Sequence, residues 1–334
     1  MSEVDGEKVK LSRAIQKRTG RTFYFATLFL PERVRRRTHV LYAFFRICDE
    51  VVDDYNAKGD ADEKRRELAS LLKQALGREE TDDPVVAAFS EVREEHNIPE
   101  EEVVEFVEAM KTDITKSSYK DFEELRGYMR GSAAAVGNMM TCIMGVDDYE
   151  AAKPHAEKLG EAFQMTNFIR DVREDAEKRE RVYLPTETLE KHGVTEEEVL
   201  NLEDSEGLRD AVHEEMVRTE EIYREGVEGI THLPADCRFP VLLAAVMYAE
   251  HHRLIRKRDY DVVSSEPSLG TIRKLTLYAR TRLDWARKKD PVAVFEKVSA
   301  VGDKEGAADS TRVGRIKRAV PFVAEHEHAE NRQD

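Results

Sequence analysis

The chain has 334 residues with 53 Lys and Arg against 68 Asp and Glu, a formal net charge of −15, which disfavours nucleic acid as a partner and suits a chain kept soluble by surface carboxylates, as in a salt-rich cytoplasm. It is long enough to bury a substantial core, and only 10 prolines and 17 glycines argue against a loop-rich fold. The opening MSEVDGEKVK has no apolar centre, so no secretory signal is expected, and the longest apolar run, Val241 to Ala249, is far below the ~20 residues of a membrane span.

Helical periodicity runs through almost the whole chain and predicts an all-α protein. In chain order the spacing predicts helices over Val34 to Asp54, Asp62 to Leu76, Pro84 to Glu95, Glu100 to Thr115, Phe122 to Met144, Tyr149 to Lys178, Ser205 to Thr231, Pro240 to Lys257 and Thr271 to Arg287. Breaks are expected at Asn97 to Pro99, Gly145 to Asp148, Leu184-Pro185 and Leu233-Pro234. One domain over 1–300 is expected, followed over 301–334 by a polar, mobile tail in which His326 and His328 read as solvated. Cys48, Cys142 and Cys237 are few, widely spaced and set in apolar runs, which predicts reduced thiols in a cytoplasmic protein whose membrane contact is at most peripheral.

Two stretches carry the chemistry: DEVVDD from Asp49 to Asp54 and QMTNFIRDVRED from Gln164 to Asp175. Tyr42, Arg46, Asp49 and Asp53 step by 4, 3 and 4 along one helical stripe, and Gln164, Asn167, Asp171 and Asp175 by 3, 4 and 4. In a chain this rich in charge, one such pair is ordinarily a solvated face. Two pairs in apolar contexts, each with polar or aromatic partners on the stripe, point inward instead. Unpaired carboxylates facing a core are costly, so a cation between them is expected. Magnesium, or manganese in its place, takes one or two carboxylates per ion and completes its shell with water and phosphate oxygens. Arg46, Arg170, Arg173 and Arg181 supply guanidinium forks for phosphate.

YMRGSAAAVGNMM, from Tyr128 to Met140, removes side-chain volume from several helix faces. Close helix packing explains that equally well as an apolar groove adapted by Met139, Met140, Met144 and Met165. A diphosphate site beside an apolar groove describes a prenyl diphosphate.

Tyr128 to Ile143 and LGEAFQMTNFIRDVREDAEKRERVYLP from Leu159 to Pro185 resemble the two signature segments of squalene and phytoene synthases. The run from Phe23 to Asp54 resembles that family's first aspartate region, and weaker similarity carries the resemblance over roughly Arg21 to Arg280. The resemblance implies an all-α isoprenoid synthase fold around a central cavity and head-to-head condensation of two prenyl diphosphates through a cyclopropyl intermediate. It places Asp49, Asp53, Asp171 and Asp175 on magnesium, supported by Gln164 and Asn167. Tyr42, Arg46, Arg170 and Arg181 would meet diphosphate, and Tyr128 and Tyr248 would face cationic intermediates. Thr22, after Arg21, stands where the family has serine and keeps a hydroxyl and a cation for phosphate. Ala134 replaces a familiar glycine and is expected to narrow the groove. SSEPS from Ser264 to Ser268 stands where relatives often place arginines, and Ser118 where an arginine precedes the tyrosine.

GSAAAVG and MKTDITKSSY look like bacterial-type phytoene synthases, which implies geranylgeranyl diphosphate as substrate, no NADPH, and a downstream carotenoid desaturase as a neighbour. Squalene or dehydrosqualene from farnesyl diphosphate stands as the alternative product. A non-catalytic lipid-binding or assembly relative should have lost motif carboxylates, and all four are present. A head-to-tail synthase would carry tight DDxxD runs in both motifs, and a di-iron bundle would need Glu-x-x-His pairs on core helices, where none occurs.

Overall fold

The computed structural model describes residues 25–53 and 61–301, so Arg21, Thr22, Asp54 and the tail lie outside the described residues. Among those described, every regular element is helical, apart from an isolated parallel bridge between Ser118 and Val182. The helices are α1 (Glu32–Asp53), α2 (Ala61–Ala75), α3 (Pro84–Glu95), α4 (Glu100–Asp113), α5 (Phe122–Met129), a π-helical segment (Arg130–Ala134), α6 (Ala135–Met144), α7 (Tyr149–Arg170) and α8 (Val172–Arg179). They continue with α9 (Thr186–Lys191), α10 (Glu196–Leu200), α11 (Glu206–Glu228), a 3-10 turn (Gly229–His232), α12 (Ala235–Arg256), α13 (Thr271–Arg287) and α14 (Pro291–Val298). The three cysteines are free. No helix of the described residues is long and apolar enough to cross a membrane.

α7 is the central helix, packed by α11, α6, the π segment and α12. On α1 the buried side chains Val34, Leu41, Phe44, Cys48 and Val52 recur at helical spacing and seat it on α3 and α4, where Phe44 stacks on Phe89 at 4.0 Å and Phe45 lies 4.5 Å from Phe106. A smaller apolar cluster under α8 to α10 joins Ile169, Val182, Leu189 and Met216.

Three predicted helices differ in detail. The stretch over Phe122 to Met144 is interrupted by the π segment, a widened turn of a kind frequent at functional sites. The helix over Tyr149 to Lys178 breaks at Asp171, whose φ of −99° and ψ of 14° end α7 and begin α8. α12 starts at Ala235 rather than Pro240, so Pro240 lies inside its second turn, where it leaves the Asp236 carbonyl without its intrahelical donor. Sequence reading missed the short helices α9, α10 and α14. Two of these carry legible caps: Thr195 and Glu198 form a capping box, and Asp290 accepts from Ala293 N ahead of Pro291.

The small-residue run serves both expected ends. A Cβ on Gly131 would sit 2.1 Å from the Glu105 carbonyl oxygen, one on Gly137 2.4 Å from that of Ala156, and one on Gly160 2.5 Å from that of Ala133, so these glycines let backbones touch. Ala134 packs toward Gly160 and is absent from the cavity wall, and it therefore leaves the groove as wide as before. Gly131→Ala is expected to destabilise by about 1–3 kcal/mol through overpacking. Gly127→Ala, with nothing within 4 Å of the added carbon, should stabilise α5 by about 0.5–1 kcal/mol. Urea unfolding midpoints of the two variants check the opposite signs.

Candidate active site

One cavity of about 1310 Å³ opens between α1, α6, α7, α8 and α12. Twelve of the predicted site residues line it: Tyr42, Arg46, Asp49 and Asp53 from α1; Gln164, Asn167 and Arg170 from α7; Asp171 and Asp175 at and beyond the break; and Tyr128, Arg181 and Tyr248. The cavity has two characters. Along α1 the lining runs from Thr38 and Leu41 to Arg46, Asp49 and Asp53, and along α7 from Leu159 and Phe163 to Asn167 and Asp171. Both helices therefore carry apolar lining toward their N-terminal ends and charged lining toward their C-terminal ends. Val136, Met140, Met144, Ile230, Val241 and Ala244 extend the apolar part. Met139 and Met165 are fully buried core residues and do not reach the groove.

At the charged end each arginine answers a carboxylate. Arg46 lies 3.7 Å from Asp49, 3.4 Å from Glu50 and 4.0 Å from Asp53. Arg170 Nε donates to Asp171 Oδ1 at 2.6 Å, with a second contact from its Nη2 to Oδ2. Arg181 Nη2 donates to the Asp113 carbonyl oxygen at 2.5 Å, and the Tyr128 hydroxyl donates to Asp113 Oδ2 at 2.6 Å. Asn167 donates to Gln164 at 3.5 Å. Arg181 reaches the cavity because Glu180 adopts left-handed φ of 52° at the end of α8, and because Val182 N donates to the Ser117 carbonyl and Thr186 N to that of Tyr119. That conformation costs a non-glycine residue about 1 kcal/mol. Tyr248 stacks on Phe163 at 4.5 Å, and Tyr183 on Phe168 at 4.0 Å, giving flat aromatic walls.

Arg179, which sequence reading missed, links the two motifs. It lies 2.8 Å from Asp175, 3.6 Å from Glu174 and 3.9 Å from Asp53. Asp113 was also missed, although it stands within the MKTDITKSSY segment. Arg179 pairs locally with Asp175, but its link to Asp53, like that of Asp113 to Arg181, arises only where distant chain meets it. Arg173 turns away from the cavity, donating to the Val263 and Ser264 carbonyls and pairing with Glu177. The SSEPS segment lines the cavity through Glu266, Pro267 and Ser268 and so brings an acid rather than a cation.

Charge at this end is only partly compensated. Burial pushes the Asp49 carboxyl up to about 7, against the pull of Arg46 and with help from Asp53 and Asp113. Burial likewise raises Asp175 to about 7, opposed by Arg179, and Asp113 to about 6, opposed by Arg181. Asp49 keeps 41% of its side-chain surface open, onto the cavity rather than bulk solvent. Buried Asp113 Oδ1 has no hydrogen-bond partner, and Arg46 Nε has only its 3.4 Å ion contact with Glu50. No three His, Cys, Asp or Glu side chains among the described residues converge to cage an ion, so the four aspartates are not one ready-made metal cluster. Spread carboxylate pairs with an orphaned polar atom fit ions that take few protein ligands and complete their shells with phosphate oxygens.

The raised carboxyls fix a sign. Between pH 4 and 7 the folded chain holds protons that the unfolded chain has released, so metal-free stability falls as pH rises through that window and levels above it. Each group contributes at most about 1.4 kcal/mol per pH unit, less where the cavity admits water. Asp175→Asn should flatten the dependence of the urea midpoint on pH, and Arg179→Gln should deepen the loss at pH 8.

Residues 16–280 match the squalene/phytoene synthase family. The chain is 34% identical over 258 residues to a phytoene synthase of Cereibacter sphaeroides, covering 74% of this chain and 72% of that one. It is 29% identical over 280 residues to a 15-cis-phytoene synthase of Synechocystis sp., covering 80% and 82%. Among solved structures, a dehydrosqualene synthase in complex with ligand aligns with a TM-score of 0.76 at 25% identity, over 85% of this chain and 98% of that one. A squalene synthase from Alicyclobacillus acidocaldarius aligns with a TM-score of 0.70 at 24% identity, over 78% and 97%, and shows the shared fold. With its motif carboxylates facing one cavity and this match across most of its length, the chain belongs to the squalene/phytoene synthase family.

Proposed function

We propose that the protein condenses two molecules of geranylgeranyl diphosphate head to head into phytoene. The observation that carries the reaction class is the two-ended cavity, with diphosphate-binding charge at one end and an apolar chamber at the other. Its volume exceeds the about 300–1,000 Å³ of an ordinary small-molecule pocket, as two long chains require. The relatives named phytoene synthase support the product.

Asp49, Asp53, Asp171 and Asp175 would hold divalent ions, which supply Lewis-acid stabilisation of the departing diphosphate. Arg46, Arg170 and Arg181 offer donors to its oxygens once their carboxylate partners are shared with other cations. Diphosphate leaves one molecule with the electron pair of its C–O bond, and the allylic cation is captured by the double bond of the other. Loss of a proton gives a cyclopropyl diphosphate, whose own diphosphate leaves; rearrangement and loss of a second proton yield the hydrocarbon with no reductant. Tyr248 on Phe163, and Tyr128 beside Tyr183, present fixed aromatic faces to the cations from which water is excluded.

The likeness to the dehydrosqualene synthase structure keeps one second reading, two farnesyl diphosphates as substrate. Incubation of the protein with each diphosphate and magnesium, without reductant, should give phytoene; C30 hydrocarbon from farnesyl diphosphate alone would overturn the chain length. Asp171→Asn should lower turnover by on the order of 100-fold or more while circular dichroism and melting temperature stay close to wild type. Retained turnover would sink the metal assignment.

A further inference from the structure

We propose that the outer face of α13 docks the protein on an anionic lipid surface. α13 buries Leu277, Thr281 and Trp285 against α12 and α14, and Tyr278 stacks on Phe29 at 4.7 Å. Its opposite face carries the three most exposed large apolar residues of those described: Ile272 at 84%, Leu283 at 54% and Leu275 at 53%. At 3.6 residues per turn, these three fall with Ala279 and Ala286 inside an arc of about 80°, an apolar stripe pointing at solvent. Arg280 and Arg287 border it on one side and Arg282 on the other. Leu28, one residue from the Phe29 ring that stacks on this helix, adds another exposed apolar side chain.

Charge selects the occupant. From Thr271 to Lys289 the chain has seven Lys and Arg against one acid, Asp284, within a protein of net charge −15. Some of that charge is spoken for: Arg273 turns inward to Glu250 at 2.7 Å, Arg287 lies 3.7 Å from Asp284, and Arg282 sits over the Phe239 ring at 5.5 Å. Arg287 keeps 66% of its side-chain surface exposed, so its pairing is weak and readily exchanged for phosphate. An apolar stripe flanked by arginines is the pattern of a helix lying in a lipid interface, with stems in the acyl boundary and guanidinium groups at headgroup level. A second copy of this chain would bring the same basic borders against each other, whereas an anionic bilayer answers both features. Docking also has a consequence for the cavity. Pro267 to Thr271 and Lys274, around the start of α13, line it, so the bound face turns this part of the cavity toward the layer where long apolar tails reside.

The inference rests on the proposed reaction only for its purpose. Vesicle binding is scored without substrate, and turnover on detergent-dispersed substrate without vesicles, so either can fail alone. The full chain should co-sediment with phosphatidylglycerol vesicles, release with added salt, and ignore phosphatidylcholine vesicles. The triple variant Ile272→Ser, Leu275→Ser, Leu283→Ser should bind at least about tenfold more weakly, and Arg280→Glu with Arg287→Glu should do the same. Both should keep wild-type melting temperature and turnover, because none of these side chains lines the cavity. Equal binding to both lipids, wild-type binding by either variant, or no binding of the wild type at low salt overturns the proposal. So does a drop in solution mass in the triple variant without a change in lipid binding, which would assign the face to self-association.

Discussion

Carboxylates facing a cavity in a protein interior are the constraint on which the rest of this molecule depends. Moving them out of water is unfavourable, and burial drives Asp49, Asp113 and Asp175 toward protonation at neutral pH. The chain answers with one guanidinium per cluster: Arg46 on the first motif, Arg170 on Asp171, Arg181 on Asp113, and Arg179 between Asp53 and Asp175. Compensation of this kind is partial by design of the geometry, since most of these contacts are 3.4 to 4.0 Å rather than tight bidentate pairs. A site that neutralised itself fully would have no free energy left with which to gather further cations and a diphosphate.

Holding such a site open demands rigidity elsewhere. The backbone contacts at Gly131, Gly137 and Gly160 lock the π segment and α6 onto α4 and α7 at distances that no larger residue permits. The π turn rotates α6 relative to α5, which lets the same short run supply both packing glycines and the cavity-lining Ser132, Ala133 and Val136. Packing and groove are therefore two faces of one device.

Helical period alone determines the part of this molecule that could be read from sequence. The steps of three and four that join Tyr42 to Asp53 and Gln164 to Asp175 survive in three dimensions because the backbone keeps its ladder: even at the break, Asp171 N donates to the Asn167 carbonyl and Asp175 N to that of Asp171, both at 2.8 Å. The break itself was invisible, since nothing in IRDVRED forbids a continuous helix. Arg179 and Asp113 were invisible for another reason: their meaning arises from chain segments about 60 to 130 residues apart in sequence. Arg173 was misplaced because one turn of period could not tell cavity from the nearby carbonyls of Val263 and Ser264. The α9 and α10 helices are too short for periodicity to register; the capping box of α10 is a legible signal, whereas α9, entered from Pro185, has no side-chain cap.

α13 shows where periodicity misleads. Its apolar residues recur at helical spacing and read as an ordinary amphipathic helix, yet they divide into two stripes on opposite faces, one under α12 and α14 and one exposed, with no described helix packed on it. Leu277 and Leu283 are indistinguishable by residue type, and only the fold separates them. Two apolar stripes on one helix imply two apolar environments. The same helix begins at the cavity wall, so the environment outside the protein and the chamber inside it are joined by a single rigid element. On the docking proposed above, that connection would tie the surface stripe to the chamber, and the acidic remainder of the molecule, repelled from an anionic layer, would orient the bound face.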